Sequence, residues 1–220
     1  LDPKDLGGAK MCFNVDSKLA AELIIGAVGQ ENWDVEIKGK ASHAGVAPEK
    51  GISAMLVASI ALTEAHRDGW FGKVVKPNGH GTSNPGVFAG KDGKAAGDAT
   101  NVVTDYARLT GEARSHNPRF VKSIVRAYKD AFAGAAAQVL DHKGKKAKVQ
   151  FRSRLDYHPF RLKEDAPVVR RALDAAAAAG LRPKTKVSNG GLDANWLVRH
   201  GVPTITFGAG QHQIHTTEEY

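Results

Sequence analysis

The sequence predicts an α+β unit inserted between two pieces of an α/β domain. Three observations support this fold class. Between residues 33 and 156 the hydrophobic patterns follow the order strand, helix, strand, strand, helix, strand. Short apolar strands come before residue 33, and helices and strands alternate after residue 156. Such alternation is typical of α/β architecture, so the two flanking pieces are predicted to share one domain.

Two short strands are predicted ahead of the inserted unit. The first covers 10–15 and ends at Asp16, and the second covers 22–28. Cys12 lies in the first strand and is the one cysteine of the chain. A disulfide cannot therefore form within the chain, and a reducing compartment is the expected environment.

The first half of the inserted unit contains a strand, a helix and a loop. Apolar and charged residues alternate through 33–40, as in a strand with one buried face. The segment 52–66 places its apolar side chains on one face of a helix. The stretch 69–82 is rich in Gly, Asn and Pro and is predicted to be a loop.

The second half of the inserted unit completes the pattern. Strands are predicted at 85–89, within 102–115 and over 147–155. Between the last two, Asn117 and Pro118 mark the start of a helix, as an N-cap residue followed by proline at the first helical position. The resulting order is that of a ferredoxin-like βαββαβ unit, an antiparallel sheet with two helices on one face.

Helices and strands alternate in the C-terminal piece. A helix is predicted with Asp165 as its cap and Pro167 in its first turn. A strand over 184–188, a helix over 192–200 and a strand over 202–207 follow. The domain boundaries are therefore 1–32 and 157–220 for the α/β domain and 33–156 for the inserted unit.

Composition and charge restrict the classes of function. The chain is 42% hydrophobic and 25% charged, the balance of a globular protein, and it has no apolar run long enough to cross a bilayer. We therefore expect no membrane partner and a cytoplasmic location. The net charge of +8 is concentrated in basic residues over 143–154, which we interpret as a solvated turn and strand face. On that interpretation no nucleic-acid partner is expected.

Candidate metal ligands lie at the ends of two predicted strands. His212 and His215 follow the last strand, and a loop at the carboxyl end of a strand is where α/β domains place their sites. Imidazole is a good ligand for zinc, and the Asp16 carboxylate can point into a cleft. The alternatives are surface histidines and a turn aspartate. One Asp and one His fall short of the three protein ligands of catalytic zinc, so a complete site must draw on further residues.

Two further loops carry residues with catalytic or binding potential. His43 follows a strand directly and can donate a hydrogen bond to a developing oxyanion; the alternative is an exposed turn histidine. Gly190 and Gly191 precede a helix, where backbone N–H groups can hold an anion. The chain has no G-x-S-x-G, P-loop or G-x-G-x-x-G pattern, which argues against a serine hydrolase and a nucleotide-binding protein.

Seven segments resemble the M20 metallopeptidases, a family that includes aminoacylase, succinyl-diaminopimelate desuccinylase, glutamate carboxypeptidase and peptidase T. They occur in the family's order along nearly the whole chain. The segment Gly-Gly-Leu-Asp-Ala-Asn that begins at Gly190 is most similar to the peptidase T-like members. The matching segments are 13–16, 39–45, 101–105, 111–115, 190–194, 201–204 and 215–218.

The resemblance implies an α/β catalytic domain with a ferredoxin-like lid and dimerisation domain inserted into it. It also implies two divalent metal ions, with zinc expected and cobalt or manganese as alternatives. By analogy Asp16 binds one metal and His215 the other. The reaction expected from the family is hydrolysis of amide bonds in small peptides or N-acyl amino acids, with a metal-activated water as nucleophile.

Roles for the remaining candidates follow from the same resemblance. His43 is expected to stabilise the oxyanion, in dimeric members within the active site of the neighbouring subunit. Asn101 and Arg114 match lid positions that bind the substrate, and an arginine can bind both oxygens of a carboxylate. Gly190 and Gly191 are expected to line the pocket. A homodimer formed through the lid is the expected assembly.

The family also has metal ligands and a general base that this sequence lacks. Its His-x-Asp motif, bridging Asp and Glu-Glu pair precede the position of Asp16 and are not found here. We therefore expect a partial chain that does not hydrolyse peptides by itself. The alternative is a non-catalytic dimerisation or nucleic-acid-binding module with a ferredoxin-like fold. Nucleic-acid binding would require adjacent aromatic residues on central strands, whereas Trp33, Phe88 and Tyr106 are scattered.

Overall fold

The computed structural model of the protein describes residues 3–16, 19–97, 99–210, 213 and 217–218. The chain divides into two compact units. The inserted unit is Gln30–Asp156, and the discontinuous unit combines Leu1–Gly29 with Tyr157–Tyr220. None of the helices in the described part of the chain is both long and apolar enough to cross a membrane.

Ten strands and four α-helices are found in the described residues. The strands are β1 (Cys12–Val15), β2 (Glu22–Ala27), β3 (Gly29–Lys38), β4 (Gly72–Lys76), β5 (Gly79–Ala89), β6 (Tyr106–Ser115), β7 (Lys148–Tyr157), β8 (Phe160–Arg161), β9 (Lys184–Ser188) and β10 (Thr204–Phe207). The helices are α1 (Ala54–Arg67), α2 (Pro118–Gln138), α3 (Pro167–Ala178) and α4 (Asp193–Arg199).

The discontinuous unit is built on a five-stranded mixed sheet. β1 runs parallel to β10, and β10 runs antiparallel to β2. β2 also pairs in parallel with β9 and antiparallel with β8. β2 is a nearly continuous apolar run, as expected for a central strand that is buried on both faces. The apolar side chains of β2 pack against α3. The buried cluster consists of Leu23, Ile25, Val168, Val169, Ala172 and Ile205.

Helix α3 begins differently from the sequence prediction. Asp165 was expected to be its N-cap, but the residue before the first helical position is Ala166, which has extended backbone angles and makes no side-chain cap. The physical reason is Pro167, because a proline ring disfavours helical angles in the residue that precedes it. The predicted cap at Asp165 is therefore wrong, whereas the prediction of Pro167 in the first turn is confirmed.

The inserted unit has a five-stranded sheet in the order β4-β5-β6-β3-β7. Helices α1 and α2 pack against each other and against one face of this sheet. Trp33 lies at the centre of this core, with its ring 4.8 Å from that of Tyr128 and 5.8 Å from that of Phe151. It is therefore not available to stack on a nucleic-acid base, which disfavours the nucleic-acid alternative.

The predicted count of four strands in the inserted unit is wrong. The stretch 69–82, predicted as a loop, contains β4 and the first part of β5, which form an antiparallel hairpin in which Lys76 pairs with Gly79. Gly79 and Gly81 favour the prediction of a loop over that of the start of β5, because glycine is rare in strands except where another group approaches closely. A Cβ at Gly79 would lie 2.6 Å from the Phe120 ring.

The prediction of two elements of the inserted unit is confirmed by side-chain detail. Trp33, Val35 and Ile37 are all buried, as the alternation along β3 requires. At the start of α2 the Asn117 side chain accepts hydrogen bonds from the backbone N–H groups of Arg119 and Phe120. This is the N-cap interaction that the Asn-Pro pair predicts.

Candidate functional site

His43 lies in a closed loop at the end of β3. We call residues 40–52 the His43 loop. Its base is closed by two backbone hydrogen bonds between Lys40 and Ile52, with N···O distances of 3.0 and 2.9 Å. One residue earlier, the Gly39 N–H donates to the Asp105 carbonyl at 2.8 Å. The loop therefore extends the pairing of β3 beyond the end of the regular sheet.

The structure brings His43 and Asn101 together. The Ala44 N–H donates to the Asn101 carbonyl at 2.8 Å, and His43 forms an antiparallel bridge with Val102. The Val103 N–H donates to the Ser42 carbonyl at 2.9 Å. Both His43 and Asn101 are exposed. Two candidate residues from distant parts of the sequence are thus held side by side by backbone hydrogen bonds.

Backbone contacts also set the tautomer of His43. The Gly45 N–H donates to Nδ1 of the ring at 3.2 Å. A ring nitrogen that accepts a hydrogen bond carries no proton, so the proton of the neutral imidazole is on Nε2. His43 therefore presents an Nε2–H donor on an exposed side chain. This is the group that an oxyanion-stabilising histidine needs.

A turn after α2, which is not among the sequence-predicted site residues, contacts the His43 loop. We call residues 141–145 the Asp141 turn. The Asp141 side chain is 0% exposed, and its carboxylate lies 3.5 Å from Lys40 Nζ. The backbone N–H groups of Lys145 and Lys143, and the nearby Lys40 ammonium, lower the pKa of the Asp141 carboxyl. The available signal was an aspartate three residues before Gly144, a typical turn pattern.

Arg114 lies at the other end of the sheet from His43 and Asn101. It is on β6, in register with Thr82 of β5, and its Nη2 lies 2.8 Å from Glu112 Oε2. His43 pairs with Val102, and the Gly39 N–H donates to the Asp105 carbonyl, so this pairing leads directly into β6. Arg114 lies nine residues beyond Asp105, which is about 30 Å along an extended strand. Within one copy of the chain these candidates do not converge.

Asp16 lies at the carboxyl end of two neighbouring parallel strands. Val15 of β1 pairs with Phe207 of β10, and the Asp16 N–H donates to the Phe207 carbonyl at 3.1 Å. Asp16 is exposed. The chain that leaves β10 at this sheet edge continues toward His215, which lies outside the described residues, as does His212.

Gly190 and Gly191 lie between β9 and α4. The Gly190 N–H already donates to Ser188 Oγ at 3.0 Å, so one of the two N–H groups predicted to hold an anion is engaged. Gly191 allows a close approach of Tyr157, because a Cβ at this position would lie 2.3 Å from the tyrosine ring. In this structure Gly191 has a packing role, and its place in a substrate pocket remains a prediction.

The fit of these residues to a metal ion is partial. An exposed aspartate beside the end of a neighbouring strand is a suitable oxygen ligand for a divalent ion. Among the residues that the structure describes, no group of three His, Cys, Asp or Glu side chains lies close enough to hold a metal. Asp16 is thus the one predicted ligand whose position is described, and the predicted partner His215 is not described.

Comparison with known proteins gives a family match and several longer relatives. The family model of the peptidase dimerisation domain, M20_dimer, matches residues 25–139. The Bacillus subtilis protein YqjE, named as uncharacterized, is 36% identical over 197 residues, which are 90% of this chain and 48% of YqjE.

Two solved structures are similar to this chain. A tripeptidase from Staphylococcus aureus has a TM-score of 0.81 and 31% identity, over 96% of this chain and 52% of that one. The aminopeptidase PepT from Bacillus cereus has a TM-score of 0.81 and 32% identity, over 100% of this chain and 54% of that one. The chain therefore spans about half the length of these relatives.

Proposed function

Because the chain belongs to the M20 peptidase family, whose dimerisation domain it carries over residues 25–139, we propose that the full-length protein is a metal-dependent amide hydrolase. The proposed substrates are small peptides or N-acyl amino acids. Similarity to a tripeptidase and to an aminopeptidase favours small peptides over N-acyl amino acids as the substrates. A cytoplasmic location and zinc as the metal remain predictions.

The observation that carries this proposal is the geometry of His43. Its Nδ1 accepts from the Gly45 N–H, which leaves the proton on Nε2, and the ring is exposed beside Asn101. When water attacks an amide, negative charge develops on the carbonyl oxygen. A preorganised donor at that oxygen stabilises the transition state more than the ground state and so accelerates the reaction.

Metal binding is proposed for Asp16 and His215. Bound divalent ions would supply an activated water and polarise the scissile carbonyl. The position of Asp16 supports its part in this proposal, because its carboxylate is exposed at the edge where β10 also ends. His215 follows β10 in sequence, and the remaining ligands would come from outside the described residues.

Asn101 and Arg114 are proposed to bind the substrate, and their separation has a consequence for assembly. A tripeptide is at most about 11 Å long, much shorter than the length of β6 that separates the two residues. Both can contact one substrate only if they come from different subunits. The presence of a dimerisation domain supports such a homodimer. Arg114 would then offer its guanidinium, now paired with Glu112, to a substrate carboxylate.

The test uses the complete gene product, purified with its bound metal. Hydrolysis of tripeptides and of N-acyl amino acids would be measured together with metal content, for the wild type, His43→Ala and the control His66→Ala. His66 is an exposed histidine on α1 of the same unit. We expect His43→Ala to lower kcat by about 100- to 1,000-fold with little change in KM, because it removes a donor to the oxyanion. The control should keep wild-type kcat.

Two results would contradict the proposal. The first is a metal-loaded wild-type protein that hydrolyses neither class of substrate. The second is a His43→Ala variant with the same kcat as His66→Ala, which would show that the exposed Nε2–H has no part in the reaction. Loss of activity on removal of metal, with recovery when zinc, cobalt or manganese is added, would support the metal assignment.

A further inference from the structure

We propose that Asp141 is a positioning residue for His43, acting on the His43 loop through Lys40 and through the backbone of the Asp141 turn. The proposal rests on the function proposed above, because it assigns Asp141 a role in the same reaction. It concerns residues of the inserted unit alone, all of which lie in the described part of the chain.

The Asp141 turn is organised around the buried carboxylate. Asp141 Oδ1 accepts hydrogen bonds from the backbone N–H groups of Lys143 and Lys145, both at 2.9 Å. The Asp141 N–H donates to the Lys145 carbonyl at 2.9 Å, and the Gly144 N–H donates to the Asp141 carbonyl at 2.8 Å. One side chain thus fixes the backbone of the whole turn, since its oxygen satisfies two donors at once.

The same turn contacts the His43 loop at two points. Lys40 Nζ lies 3.5 Å from Asp141 Oδ2, at the base of the loop. The His142 N–H donates to the Glu49 carbonyl at 2.8 Å, near the end of the loop. Asp141 Oδ2 is buried, and among the described residues it has no hydrogen-bond partner besides its ion pair with Lys40. A buried carboxylate separated from its cation is costly, so Lys40 is held against Asp141.

His43 is therefore held from two sides. The segment 101–103 pairs with the loop through Ser42, His43 and Ala44, and the Asp141 turn contacts it at Lys40 and Glu49. The pairing with 101–103 fixes the position of His43 relative to Asn101. The contacts of the Asp141 turn fix both ends of the loop. A donor that must meet a developing oxyanion needs this support, because a shift of about 1 Å can cost about a hundredfold in rate.

Asp141→Asn isolates the charge from the shape of the turn. The amide keeps an oxygen acceptor for Lys143 and Lys145, whereas the ion pair with Lys40 is lost. Lys40→Met removes the other partner of the same pair. Asp130→Asn is the matched control, because Asp130 is an exposed aspartate on α2.

The kinetic test is a double-mutant cycle in the complete, metal-loaded protein. We expect Asp141→Asn to lower kcat about tenfold and to change KM less than about twofold, because orientation of His43 matters in the transition state. Combined with His43→Ala, it should cause no further decrease, since no imidazole remains to be positioned. Lys40→Met should behave as Asp141→Asn does, and Asp130→Asn should keep wild-type kcat.

Amide hydrogen exchange of the same variants reports on the loop without reference to activity. We expect faster exchange in residues 40–52 for Asp141→Asn, and unchanged exchange for Asp130→Asn. The proposal is overturned if the kcat effects of Asp141→Asn and His43→Ala are additive, or if exchange of the loop does not change. If His43→Ala alone leaves kcat unchanged, the proposed role of His43 fails, and the exchange data still decide whether Asp141 holds the loop.

Discussion

At the scale of single residues, Asp141 couples the stability of the inserted unit to pH. The backbone N–H groups of Lys145 and Lys143 and the charge of Lys40 favour its ionised form, so its pKa is lower in the folded protein than in the unfolded chain. Unfolding raises that pKa to its ordinary value of about 3.9. The ionised carboxylate therefore stabilises the folded state above this pH, and the stabilisation is lost as the pH falls through the folded pKa.

This sign predicts how Asp141→Asn responds to pH. The asparagine variant cannot ionise, so its deficit in unfolding free energy relative to the wild type should be full at pH 7. The deficit should shrink as the pH falls below about 4, because the carboxyl of the unfolded wild-type chain then takes up its proton while the folded carboxylate, with its lower pKa, is still ionised. Urea unfolding of both proteins between pH 7 and pH 3 measures the difference. A deficit that grows toward low pH would contradict this account.

The positions of Asp16 and His43 near the ends of strands were predictable from the sequence, and the contacts of Asp141 were not. An apolar strand followed by polar residues is a local pattern, and α/β domains place their sites in the loops at strand ends. The importance of Asp141 depends on contacts with Lys40 and Glu49, which are distant in sequence. Local composition gives no signal for such contacts, and for the basic run over 143–154 it indicates only a solvated face.

At the scale of elements, the junction between β3 and the His43 loop depends on a glycine. The Gly39 N–H donates to the Asp105 carbonyl, and the neighbouring residue Lys40 pairs with Ile52. A Cβ at Gly39 would lie 2.0 Å from the Ile52 carbonyl oxygen, which belongs to the backbone that closes the loop. No rotamer change can relieve this contact, so the loop can close tightly only with glycine here.

Alanine substitutions at two glycines should therefore have opposite effects. Gly39→Ala should destabilise the protein by about 1–3 kcal/mol through overpacking. Gly134→Ala is the control, because Gly134 is exposed within α2 and the nearest atom to its Cβ would be 3.9 Å away. There, alanine should stabilise the helix by about 0.5–1 kcal/mol. Denaturant unfolding measures both changes, and a neutral Gly39→Ala would show that the loop base adjusts easily.

Elements with a clear period or cap were predictable, and the β4-β5 hairpin was not. The alternation along β3 and the Asn117 cap of α2 are local features that the tertiary structure does not override. In the hairpin, Gly79 and Gly81 are required by the approach of the Phe120 ring and the Arg114 backbone. Glycines selected by tertiary packing resemble loop glycines in sequence, which is why the strand was missed.

At the scale of the molecule, each unit has its own buried core. One core lies between the sheet of the inserted unit and its two helices, and another lies between β2, β10 and α3. The switch from strand-rich to alternating patterns along the sequence indicates two units, because each pattern reflects the layers that bury it. How many copies of the chain contribute to one site is a different matter. Hydrophobic patterns do not report the distance between His43 and Arg114.

That distance leads to a prediction about mixed dimers of the complete protein. In a homodimer of the proposed kind, each site takes His43 and Asn101 from one subunit and Arg114 from the other. Arg114→Ala should lower kcat/KM by about ten- to a hundredfold, because it removes hydrogen bonds from a charged donor. A mixed dimer of His43→Ala and Arg114→Ala chains would place both defects in one site and leave the second site intact.

Unfolding and refolding an equal mixture of the two variants produces these dimers. Random pairing puts half of the chains in mixed dimers with one intact site each, so kcat/KM should recover to about a quarter of the wild-type value. Refolding each variant alone is the control and should give no recovery. If both residues acted within one subunit, every site of the mixed dimer would carry one defect and the mixture would stay as inactive as its components. Within one copy of the chain, His43 and Arg114 are too far apart to contact the same small peptide. Recovery therefore requires that His43 of one subunit and Arg114 of the other contribute to one site.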